Sequence, residues 1–186
     1  MLLFLGDSIT EWWDKKIFNY DFAHMNAVNF GKAGATTIDL LKIINGNKMY
    51  NLNPDVIIIL IGTNNKFLPN YMAGQTASDI EQIVNILSSK FSLASIILRG
   101  LLPHGKYATE KSRIYNDAVN TIISRINNVT YIDNSIEFID LSGAINNDLM
   151  PDNLHLSKKG YEKLSKVLTP LIYRLVPKLR ISNGDE

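Results

Sequence analysis

The clearest strand signal in the sequence is Val56-Ile57-Ile58-Ile59-Leu60-Ile61-Gly62-Thr63-Asn64-Asn65. Its first six residues are all apolar and mostly β-branched, with no alternation of apolar and polar positions. Such a run reads as a strand buried on both faces, which occurs in parallel sheets covered by helices on each side. Four shorter runs of the same kind, at 2–5, 27–30, 95–98 and 130–132, flank it along the chain. Between them lie segments of helical period. Ile38, Leu41 and Ile44 follow a Thr36/Asp39 capping pattern, and Ile80, Ile83, Val84 and Leu87 follow a second such pair at Thr76/Asp79. Tyr115, Ala118, Val119, Ile122 and Ile126 make a third face. Ser157 opens a last helix through Tyr161, Leu164, Leu168, Leu171 and Leu175, with a kink expected at Pro170.

This β–α alternation predicts an α/β protein: a three-layer α/β/α, flavodoxin-like domain with a five-stranded parallel sheet in the order 2-1-3-4-5. A chain of 186 residues is long enough for one full core. A single domain over 1–181 with a polar tail over 182–186 is expected. The segment 134–156 breaks the pattern, being far longer than the usual strand-to-helix connection. Loops of that length in a compact domain are often functional, and His155 stands at its end.

Composition narrows the chemistry. There is no cysteine, which removes disulfides, thiolate metal sites and a cysteine nucleophile, and only three histidines (His24, His104 and His155). Nineteen basic against 18 acidic residues give no electrostatic reason to expect nucleic acid or an anionic membrane as partner. The longest apolar run, six residues, is far below the ~20 of a membrane helix, and four apolar residues after Met1 are too few for a secretory leader. A cytoplasmic protein without membrane insertion is expected.

Four short blocks carry the candidate chemistry. Gly6-Asp7-Ser8-Ile9-Thr10 taken alone reads first as a tight turn with a helix cap, and second as a serine nucleophile exposed at a strand end. Asn29 to Thr37 contains Gly31 and Gly34, either turn residues or glycines that let backbone approach a ligand. As a dinucleotide fingerprint it is incomplete and follows the wrong strand. Gly62-Thr63-Asn64-Asn65 is a turn, or a source of an Asn64 side-chain donor. Asp152 stands three residues before His155, a spacing that lets a carboxylate orient a histidine base, or a solvated pair beside a helix cap. A metal site there would need more ligands than the spacing supplies. In the 2-1-3-4-5 order the ends carrying Ser8, Gly34 and Asn64 are neighbours, and the long loop can return His155 over Ser8.

These blocks, GDSIT at 6–10, NFGKAGATT at 29–37, GTNN at 62–65 and DNLHLS at 152–157, resemble those of the SGNH (GDSL-like) hydrolases. The likeness is to the platelet-activating-factor acetylhydrolase alpha-subunit branch, and Leu101-Leu102-Pro103 with Gly105 extends it. The resemblance implies Ser8 as nucleophile, His155 as base and Asp152 as its orienting acid. It also implies an oxyanion hole of the Ser8 and Gly34 N–H groups and the Asn64 side chain, with no metal or cofactor. Ala35 departs from the Asp usual in relatives, whereas Asn65 agrees with the acetylhydrolase branch. The implied activity is a serine esterase removing short acyl groups, chiefly acetyl, from O-acetylated sugars such as sialic acid or from acetylated phospholipid-like esters. An O-acyltransferase and a non-catalytic binding module are the alternatives on the same scaffold. The expected partner is a small-molecule ester, and a homodimer is expected from the resemblance alone. Of the remaining residues, at least one of Trp12 and Trp13 is expected in the core, with the other open to walling the substrate pocket. His104 is expected as a solvated loop residue, with substrate contact the alternative, and His24, Lys15 and Lys16 at the surface.

Overall fold

The computed structural model describes residues 1–46, 49, 51–105 and 110–179. The expected tail over 182–186 lies outside the described residues. Five parallel strands, β1 (Leu2–Gly6), β2 (Val28–Gly31), β3 (Val56–Leu60), β4 (Ser95–Arg99) and β5 (Thr130–Ile132), form one sheet in the order β2-β1-β3-β4-β5. β1 therefore sits between β2 and β3, pairing Gly6 with Gly31 on one side and with Leu60 on the other.

Both faces of the sheet are buried, as the unalternated strands require. Leu2, Phe4, Val56, Ile58 and Ile97 face one layer, built from α2 (Lys15–Phe22) and α6 (Lys158–Leu175) through Ile17, Phe22, Tyr161, Leu164 and Leu168. Leu3, Leu5, Ile57, Ile59, Ile96 and Leu98 face the other, where α3 (Thr37–Asn45), α4 (Ala73–Lys90) and α5 (Glu110–Ile123) supply Leu40, Ile44, Ile80, Ile83, Val84, Leu87, Val119 and Ile123. Burying each such aliphatic side chain contributes about 1.5–3 kcal/mol, so these two layers dominate the stabilising terms. Trp13 enters the first layer between Phe4, Phe22 and Tyr161.

Three local expectations, the apolar faces of α3 and α5 and the cap of α4, are corrected. The core face of α3 runs through Thr37, Leu40 and Ile44, and Ile38 is exposed; on α5 Ile123 is buried and Ile122 exposed. The Thr36/Asp39 capping box forms, but Thr76 and Asp79 do not cap α4, which already starts at Ala73 after Met72. Both side chains are instead buried, Thr76 bonded to the Tyr115 hydroxyl and Asp79 to that of Thr37. α6 continues through Pro170, whose position faces solvent, so the carbonyl it leaves unpaired is open to water.

Candidate active site

The site forms where β1, β2 and β3 end. Gly6 must be glycine because a Cβ there would collide with the Leu60 carbonyl oxygen. The chain turns immediately after it into α1 (Ser8–Glu11), capped by the Asp7 carboxylate, which accepts the Ile9 N–H at 3.0 Å. Ser8 is thus the first residue of a helix, and its N–H has no intrahelical acceptor.

The 134–156 connection is a pinned loop. Its first residue, Asn134, accepts from the buried Arg99 guanidinium, and Phe138, Ile145, Met150 and Leu156 anchor it to the core. It delivers His155 to Ser8, with Nε2 3.0 Å from the hydroxyl oxygen across 147 residues of sequence. The His155 Nδ1 is 2.6 Å from Asp152 Oδ2. Asp152 Oδ1 accepts the backbone N–H groups of Leu154 (3.0 Å) and His155 (2.6 Å), so the carboxylate is held independently of the ring. Partial burial raises its pKa, but those hydrogen bonds outweigh that and hold it below the ordinary value. The other face of the imidazole meets Trp12, 52% exposed, with ring centroids 4.3 Å apart. The two tryptophans therefore divide as expected between core and site surface.

Gly34 and Asn64 stand on the adjacent strand ends. Gly34 has φ +72°, a conformation that favours glycine, and nothing lies within 4 Å of where its Cβ would be. Asn64 donates one side-chain N–H to the Ala35 carbonyl at 3.0 Å, which orients the amide and leaves the second N–H for a ligand. The structure brings together Ser8, Asp152 and His155, and places Gly34 and Asn64 on the neighbouring loops. Such an arrangement can remove the hydroxyl proton of Ser8 and offer donors to a negative oxygen.

His24 is at the surface, bonded to the Tyr173 hydroxyl at 3.0 Å, but His104 contradicts its expected place. It is 2% exposed, beside the Leu102 carbonyl two residues back and Asn116 of α5, the latter a contact that no local pattern announces. The described residues contain no group of three or more His, Cys, Asp or Glu side chains placed to hold a metal ion. No described helix is long and apolar enough to cross a membrane. A surface groove of about 640 Å³ between α2 and α6, beside Ile17 and Tyr20, contains none of the site residues.

Two buried groups give the fold an unusual acid response. Burial pushes the Asp7 carboxyl up to about 6, against the pull of the Ile9 N–H and the His155 charge. Burial, aided by the Lys66 cation, pushes His104 down to about 4. Asp7 favours the native state when protonated, so its contribution is lost as pH rises through about 6. His104 favours it when neutral, so its contribution is lost as pH falls from 6.5 to about 4. Each amounts to about 3 kcal/mol, and the two oppose each other across the same interval. Asp7→Asn, which keeps the cap acceptor, exposes the histidine slope. Urea unfolding of this variant loses about 3 kcal/mol between pH 6.5 and 4, whereas the wild type changes by about 1 kcal/mol or less. Parallel pH curves for the two proteins would contradict this.

With this geometry in view, the comparisons with known proteins point to an ester hydrolase. The chain belongs to the GDSL-like Lipase/Acylhydrolase family, which it matches over residues 4–163. It is 33% identical to the human Platelet-activating factor acetylhydrolase IB subunit alpha2 over 94% of this chain and 77% of that one. The bovine subunit alpha1 is 28% identical over 94% of this chain and 76% of that one. Among solved structures, a GDSL-like lipase from Bacteroides thetaiotaomicron shares the fold with a TM-score of 0.79 at 19% identity, covering 94% of this chain and 88% of that one.

Proposed function

We propose that this ester hydrolase cleaves short acyl esters, chiefly acetyl esters, through an acyl-enzyme on Ser8. The observation that carries the proposal is the unbroken chain from Ser8 Oγ through the His155 ring to a carboxylate that is itself anchored by backbone. In attack, Ser8 Oγ bonds to the ester carbonyl carbon as its proton passes to His155 Nε2. The carbonyl oxygen becomes an oxyanion, received by the Ser8 and Gly34 N–H groups and the second N–H of Asn64. His155 then protonates the departing alcohol, and a water deprotonated by His155 releases the acid and restores Ser8. Asp152 keeps the Nδ1 proton in place and stabilises the imidazolium in each half-reaction.

The acetylhydrolase relatives favour a short acyl group. The substrate is proposed to be an O-acetylated sugar or an acetylated phospholipid-like ester, and the near-balanced charge gives no preference for an anionic surface. Rates across a p-nitrophenyl acyl series test acyl length: kcat/KM is expected to fall steadily from acetate to octanoate, and a maximum at octanoate would overturn it. Comparing acetate release with acetyl transfer to an added sugar alcohol tests water against an alcohol as acceptor, and release is expected to dominate. Asn64→Ala is expected to lower kcat about 10²–10³-fold with little change in KM, since its donor acts on charge that develops in the transition state. An equal loss carried mainly by KM would instead make Asn64 a ground-state binding residue.

A further inference from the structure

Behind the Gly34 and Asn64 loops lies a buried polar relay that the reaction does not itself use. Asn65, Thr37 and Asp79 are 0%, 0% and 7% exposed. The Thr37 N–H donates to Asn65 Oδ1 at 3.0 Å, and Asn65 Nδ2 donates to Thr37 Oγ1 at 2.5 Å. The Thr37 hydroxyl donates in turn to Asp79 Oδ2 at 2.5 Å. Asp79 also accepts from the Tyr71 hydroxyl and, at 3.0 Å, from the Gln75 side-chain amide. Burial and the bond to Asp79 both push the Tyr71 hydroxyl above its ordinary pKa, as for a phenol that must remain a donor.

The donor–acceptor order of this relay is forced. A backbone N–H can only donate, so the Asn65 atom facing Thr37 N is oxygen, and the other must be the amide nitrogen. Thr37 has one hydroxyl proton, and Asp79, accepting only, takes it. The remaining lone pairs of Thr37 Oγ1 therefore need a donor, which an amide supplies and a carboxylate does not. The relay thereby fastens α3, two residues beyond Ala35, to the turn directly after Asn64. A second strut, Asn64 to the Ala35 carbonyl, joins the same two loops.

We infer that Asn65 and Asp79 are positioning residues, whose fixed hydrogen-bond polarity holds the Gly34 loop in register with Asn64. The inference rests on the proposed oxyanion role of those two groups. It explains why position 65 holds an amide in this chain: with Asp79 in place, a carboxylate at 65 would set two acceptors against one hydroxyl proton. It also implies a reciprocal solution. When the two side chains are exchanged, the acid at position 65 takes both the Thr37 N–H and its hydroxyl. The amide at position 79 then donates to Thr37 Oγ1 and to Tyr71, which turns to accept, and Gln75 still donates to the amide oxygen at 79.

The test is that exchange, read as kcat per titrated active site, KM and thermal midpoint. Asn65→Asp is expected to lower kcat about 10²-fold with KM within about threefold, the loss typical of one misplaced oxyanion donor. Asp79→Asn alone is expected to stay within about threefold of wild type, because the exposed Gln75 amide can turn to present its oxygen. The double variant N65D/D79N is expected to recover to within about tenfold of wild type in kcat and to regain the midpoint lost in N65D. A double variant no better than N65D, or N65D within threefold of wild type, overturns the inference. If N65D does not fold, the double variant must still fold and turn over, and its failure to do so counts against the relay. Failure of the esterase reading shows separately, as Ser8→Ala retaining wild-type rate, while the midpoints continue to report on the relay.

Discussion

Ser8→Ala is expected to lower kcat for p-nitrophenyl acetate on the order of 10⁴-fold or more, while the thermal midpoint stays close to wild type. The large kinetic effect follows from the proposed mechanism, in which the Ser8 hydroxyl makes the covalent bond and is the side chain facing His155 Nε2. Ile9 is apolar and the carboxylate of Asp7 is committed to the Ile9 N–H. The small stability effect follows because Ser8 does not cap its own helix. That role belongs to Asp7, and the Ser8 hydroxyl bonds to His155. Steady-state kinetics beside differential scanning calorimetry checks both halves. Equal rates in the two proteins would remove Ser8 from the chemistry.

Asp152→Asn is expected to cost about 10³–10⁴-fold in kcat, although the change is nearly isosteric. Asp152 Oδ1 is fixed by two backbone N–H donors, at Leu154 and His155. An asparagine must therefore place its oxygen there and turn its NH₂ toward His155 Nδ1. That nitrogen then accepts, the ring proton moves to Nε2, and the base loses the lone pair that takes the Ser8 proton. The anchored carboxylate oxygen, more than its charge, makes the variant severe. Asp152 is 55% exposed as a side chain, where Coulomb effects are screened by water. The pH–rate profile of the variant, compared with that of wild type, checks this: a tautomer lock lowers the rate at all pH values, whereas loss of charge alone shifts the profile with little loss at its plateau.

Much of this was legible in the residues. Strands buried on both faces carry no alternation, so residues 56–61 and their shorter counterparts announced a covered parallel sheet, and with it the neighbouring ends of β1, β2 and β3. The Asp152–His155 spacing was equally open to view because its geometry is local. What escaped was set by contacts between distant residues. Thr76 and Asp79 have the spacing of a helix cap, yet Asp79 serves Thr37, 42 residues away, and α4 begins one turn earlier without a side-chain cap. His104 reads as a loop residue beside a glycine, yet it is buried, with Asn116 of α5 against its ring. Ile38 and Ile122 fit apolar periodicity but sit one position off the stripe that meets the sheet, an offset that amphipathic spacing alone does not fix.

A covalent acyl-enzyme on Ser8 is open to trapping by rapid acid quenching of the reaction with p-nitrophenyl acetate, followed by peptide mass spectrometry. The expected result is a single acetyl adduct on the peptide containing Ser8, absent from Ser8→Ala and accumulating in wild type during the burst. An acetyl group on another residue, or full turnover in Ser8→Ala with no adduct, would contradict it.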